Sequence, residues 1–212
     1  MNRLAAWLAL VTVLAVVNYA ARFSDATTPD DVLYQYSTAI SSLILFAVML
    51  GIVLAIARFD RAMLAVRRPR SWRGSLKLMF GVLVGVYVLG GLLSPFLDPG
   101  EEQGLTPDEW DSSRWLPFAL NAVVVAGVAP IVEELTFRGL GYSLLVRWGA
   151  TVAISGTALA FALGHGLLEG LPLLLALGAG LAYIRYRQDS VVPGILLHSL
   201  FNAIALAASL SL

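Results

Sequence analysis

Uncharged apolar runs of about 18 residues or more recur along this chain, and they fix its solvent before any other feature is read. Hydrocarbon offers no water to satisfy backbone N–H and C=O groups, so only helices and closed barrels cross it. Membrane strands alternate in polarity over about ten residues. These runs are continuously apolar and nearly twice as long, which selects helices. Polar breaks divide the chain into predicted spans near 4–21, 37–57, 75–97, 116–137, 151–168, 171–186 and 190–211. The expected fold is all-α, a polytopic transmembrane helix bundle of about seven spans. Composition agrees: 58% of the 212 residues are hydrophobic and only 13% are charged, about half the globular share.

Fourteen basic and fourteen acidic residues cancel, and no charged tail is present, so no nucleic-acid partner is expected. The absence of cysteine excludes disulfides, thiolate metal sites and cysteine nucleophiles. Charge distribution is more telling than charge sum. Arg3, the basic stretch from Arg58 to Lys77, Arg138, Arg147, Arg185 and Arg187 fall on one side of the seven-span threading; Arg22 and Arg114 fall on the other. Positively charged loops stay cytoplasmic, so the expectation is a multi-pass protein of the cell membrane with a cytoplasmic N-terminus. Trp72, Trp110, Trp115 and Trp148 sit near span ends, at headgroup level. The Met1 to Arg22 segment reads as the first span, because its apolar run is too long for a signal-peptide core. The chain reads as one membrane domain: 1–115 holds spans one to three and an acidic loop, and 116–212 holds the core helices that carry the polar groups.

Those polar groups do not belong in hydrocarbon: Glu133, Glu134 and Arg138 on span four, His165 on span five, His198 and Asn202 on span seven. A charged side chain at mid-bilayer costs about 2.5–3.5 kcal/mol on insertion scales, so they must face partners or a wet cavity. Glu134 and Arg138 stack on one helix face, four residues apart, and can neutralise each other. Glu133 is rotated by about 100° from that pair and is the freer carboxylate. His198 and Asn202 repeat the four-residue spacing. Measured along the helices, Glu133 and His165 lie at similar depth, which would allow convergence at a cavity opening toward the cytoplasm. Asn121 and Pro130 read as packing features, with Pro130 kinking span four just before Glu133. Glu169 reads as a loop residue.

Taken together, these residues resemble the CAAX protease and bacteriocin-processing family, the Abi or type II CAAX prenyl endopeptidase-like intramembrane proteases. Three motifs carry the resemblance: Glu133-Glu134-x-x-x-Arg138, Phe161-x-x-x-His165 and His198-x-x-x-Asn202. It implies peptide-bond hydrolysis inside the membrane, on a membrane-associated peptide or protein. Glu133 and His165 would activate a water, and His198 with Asn202 would stabilise the oxyanion. Glu134 and Arg138 would hold Glu133 in orientation. The chemistry is coherent, since a carboxylate and an imidazole can share a proton taken from water, and paired donors suit a developing alkoxide. The resemblance leans toward glutamate-type catalysis with no cofactor, although two imidazoles and a carboxylate are also a possible zinc set. A transporter or proton relay is the main alternative, and a catalytically silent immunity or scaffold protein is the other.

Overall fold

The computed structural model describes residues 2–24, 31–97, 102 and 110–210, and among these it contains seven α-helices and no strand. They are α1 (Arg3–Arg22), α2 (Tyr36–Ala57), α3 (Trp72–Leu93), α4 (Ser112–Trp148), α5 (Ala150–Gly164), α6 (Leu171–Gln188) and α7 (Val192–Ser209). Five of them, α1 to α4 and α7, are long and apolar enough to cross a bilayer. Outward-facing apolar side chains such as Val16, Ile44, Val48, Phe80 and Val88 remain more than half exposed, as a surface solvated by acyl chains requires. The acidic breaks around Asp25 and Asp98 lie mostly outside the described residues.

Two helix boundaries depart from the sequence expectation. The fourth span was expected over 116–137, but α4 runs on to Trp148. Arg138 does not end it, because this cation is fully buried and paired within the bundle. It is therefore an exception to the charge sorting that places the other basic residues at helix ends. The fifth span was expected to reach residue 168, but α5 stops at Gly164. Gly166, at φ 68°, turns the chain there. A side chain at Gly166 would also strike the Asn18 backbone at 2.8 Å, so α1 presses on this turn.

The two ends of the bundle are tied differently. At one, the basic loop folds onto the α6–α7 turn: Arg70 N–H donates to Gln188 O (3.1 Å), Val191 N–H to Ala65 O (3.1 Å) and Ser190 Oγ–H to Arg67 O (2.5 Å). At the other, Glu102 pairs with Arg22 (2.7 Å) and accepts from Leu168 and Gly170 N–H (2.6 and 2.9 Å). Nearby, Arg114 pairs with both Asp31 and Asp111. Between the ends, Trp7 Nε1–H reaches Thr136 O (3.0 Å) and pins α1 to α4. Gly178 lets α6 close on α5, since a Cβ there would meet Ala158 Cα at 3.1 Å.

Candidate active site

Helix α4 is irregular on both sides of its two glutamates. π-helical turns occupy Val124–Val128 and Leu135–Gly141, with Ala129–Glu134 as regular α-helix between them. Pro130 accounts for a consequence of the first. In the π register Ala129 N–H bonds Val124 O, so the next carbonyl, Val125 O, would need the N–H that Pro130 lacks. Asn202 on α7 supplies the donor instead, its Nδ2–H reaching Val125 O at 2.9 Å. The expected kink thus takes the form of a π turn whose orphaned carbonyl is satisfied from a neighbouring helix.

The regular segment aims its carboxylates apart, as their 100° offset requires. Glu134 is completely buried and bound to Arg138 Nη1 (2.8 Å), while Arg138 Nη2 donates to Gly178 O (3.0 Å). The remaining polar atoms of this pair, Glu134 Oε2 and Arg138 Nε, have no hydrogen-bond partner among the described residues. Gly194 on α7 makes room for Glu134, because a Cβ there would lie 2.6 Å from Oε2. His198 links the two glutamates: its Nδ1 is 3.3 Å from Glu134 Oε1 and its Nε2 is 3.7 Å from Glu133 Oε2.

Glu133 retains 15% side-chain exposure and faces a cavity of about 180 Å³, also lined by His165, Gly164, Phe137, Asn18 and Met49. That volume accommodates several waters beside polar groups able to hold them. His165 follows the last residue of α5, where Nδ1–H donates to Phe161 O (2.7 Å). A carbonyl only accepts, so the proton of the neutral ring sits on Nδ1 and Nε2 keeps its lone pair. Phe161 separates the two imidazoles, its ring centroid 4.5 Å from that of His165 and 5.5 Å from that of His198. The Arg138 guanidinium stacks over the same ring at 4.4 Å.

The structure therefore brings His165 to the same cavity as Glu133 and His198 to 3.7 Å from Glu133, with Phe161 between the two imidazoles and Glu134 paired with Arg138 beside them. Asn202 stands one turn beyond His198, with one N–H committed to Val125 O and the other without a partner among the described residues. The cavity differs from the sequence expectation of an opening toward the arginine-bearing end. None of its lining residues belongs to that end, and Asn18 and Leu45, both exposed, place its rim between α1 and α2. Two participants escape sequence reading. Asn18 donates to Gly164 O (2.5 Å) and holds the turn before His165; its only sequence signal is a lone carboxamide in an apolar run. Gly194 has no sequence signal, because its importance lies in what it would strike. Asn121 is buried, and its carboxamide donates to Leu33 O and Gln35 O (3.0 Å each). Glu169 lies exposed in the turn after α5.

A zinc site needs three protein ligands around one point. Among the described residues no group of three His, Cys, Asp or Glu side chains is so placed.

Fold and site together define a polytopic helical membrane protein with ionisable side chains collected inside the bundle beside a small cavity. Comparison with family models takes this further: residues 115–204 match the model described as type II CAAX prenyl endopeptidase Rce1-like. The match begins with α4 and ends within α7, so it contains all three sequence motifs. Neither the curated proteins nor the solved structures gave a match.

Proposed function

We propose that the protein is an intramembrane endopeptidase of the CAAX prenyl protease type, hydrolysing a peptide bond in a membrane-associated peptide or protein, with Glu133 as its general base. The observation that carries this reading is the placement of Glu133, partly exposed in a largely apolar cavity that it shares with His165, and 3.7 Å from His198. A water held between Glu133 and His165 Nε2 gives its proton to the Glu133 carboxylate as its oxygen attacks the scissile carbonyl carbon. The carbonyl π electrons move onto oxygen, and the oxyanion accepts hydrogen bonds from the second N–H of Asn202 and from His198 Nε2–H, a donor only in the imidazolium form because Nδ1 already faces Glu134 Oε1. Collapse of the tetrahedral adduct breaks the C–N bond, and the proton held by Glu133 passes to the leaving amine. Glu134 and Arg138 set the position of His198 and the direction of α4, and neither touches substrate. The arginine-bearing end, including Arg3, faces the cytoplasm of the cell membrane.

The test compares wild type with Glu133→Gln on a panel of membrane peptides, with and without chelator. The reading expects cleavage by wild type in both conditions and none by a folded Glu133→Gln protein. Loss of wild-type cleavage with chelator would move the mechanism to a metal. Equal behaviour in all arms would remove the protease and favour a relay or a silent scaffold.

A further inference from the structure

A second concavity, of about 290 Å³, lies at the arginine-bearing end and shares no residue with the glutamate cavity. Its floor is formed by Arg185 and Tyr142, both buried, and its mouth by Arg70, Tyr186 and Arg187, all exposed. One carboxylate, Asp189, stands against three guanidinium groups, and it is already bound to Arg185 Nη1 (2.8 Å) and to Arg67 (3.3 Å). The concavity is therefore net positive. Arg185 is only 6% exposed, and its Nε–H is used by Arg138 O (3.2 Å), but Nη2 has no protein partner among the described residues. Arg187 is held by Tyr183 OH through one nitrogen (2.7 Å) and keeps the rest of its fork. The Arg70 backbone is fixed to Gln188 O, which keeps its side chain at the rim.

Planar guanidinium forks match the tetrahedral oxygens of a phosphate better than they match a neutral ligand. Depth points the same way. Trp72 and Trp148, at the near ends of α3 and α4, are about half exposed, as rings at headgroup level are. We propose that this pocket binds a phosphate group, presented by the headgroup of an anionic phospholipid in the surrounding leaflet. Arg185 supplies the buried contact, and Arg70 and Arg187 close over the anion from the rim.

The test uses the full chain in nanodiscs with equal phosphatidylglycerol and phosphatidylcholine, reading lipid retained per protein by native mass spectrometry. Wild type should retain phosphatidylglycerol preferentially, and Arg70→Gln with Arg187→Gln should lower that preference about 30-fold, the effect of two surface cations. The control pair Arg68→Gln with Arg73→Gln removes the same charge outside the pocket. A control loss as large as the pocket loss would assign the effect to bulk surface charge and overturn the proposal. A second arm titrates inorganic phosphate against chloride at equal ionic strength in neutral detergent, reading the thermal midpoint. A rise abolished by the pocket pair identifies free phosphate as a ligand, and lipid preference without such a rise identifies the headgroup. No effect in either arm overturns the site.

Discussion

Asn202→Ala should have two separable costs, because this side chain serves a backbone carbonyl and, in the proposed mechanism, an oxyanion. The structural cost comes from Val125 O, whose π-register donor is missing at Pro130 and whose partner is Asn202 Nδ2 at 2.9 Å. Leaving this part-buried carbonyl unsatisfied inside a membrane bundle costs about 1–3 kcal/mol, which is the expected loss of stability in Asn202→Ala. The catalytic cost is that of one oxyanion donor, about 10²–10³ in kcat. Pro130→Ala restores an N–H and gives Val125 O a backbone donor. In that background Asn202→Ala should lose well under about 1 kcal/mol while retaining its full drop in kcat. Chemical unfolding in mixed micelles and single-turnover cleavage, each in both backgrounds, separate the two quantities. An equal stability loss in both backgrounds would refute the link between Pro130 and Asn202. A kcat that recovers with stability would refute the oxyanion role.

Arg138→Met strands the buried Glu134 and should cost about 3–5 kcal/mol in the same unfolding assay. Glu134→Gln in the same chain should recover most of it, because the pair already leaves two of its polar atoms unsatisfied. Gly166→Ala meets both a positive φ and the Asn18 backbone, so a loss of about 1–3 kcal/mol is expected, with slower cleavage as the His165 turn shifts. At the opposite end from the basic loop, hydrogen bonding from Ser113 and the Arg114 guanidinium hold the Asp111 carboxyl at about 2. Hydrogen bonding from Gln35 and Arg114 lowers Asp31 as well. Depressed carboxyls stabilise above their ordinary range and lose that contribution as pH falls toward the folded value. Trp110, packed on Tyr34 and Phe118, should therefore keep its native fluorescence through pH 3.8 and lose it as the pH approaches about 2. Arg114→Ala should move that transition upward.

Much of this site was legible because its couplings are local. Glu134 and Arg138 meet through four-residue helical spacing, and the 100° offset of Glu133 follows from helix geometry alone. What was not legible depends on neighbours distant in sequence. Nothing near Asn202 announces that a proline 72 positions earlier leaves a carbonyl for it to satisfy. Arg138 counts as a loop-side cation in a charge tally, yet it lies wholly inside, because a buried carboxylate and the Gly178 carbonyl replace its water. The sequence expectation carries α5 too far because no charged residue breaks the run before Glu169, and Leu167 and Leu168 prolong it. A positive φ at Gly166 and pressure from α1 stop it earlier.

The claim that Glu133 and His165 act on one water as a unit is tested most directly by single-turnover rates of Glu133→Gln, His165→Gln and the double variant, measured in nanodiscs. Groups that share one step lose their effect together, so the double variant should be about as slow as Glu133→Gln alone. Rate losses that multiply in the double variant would mean the two residues contribute independently, and the shared-water account would be wrong.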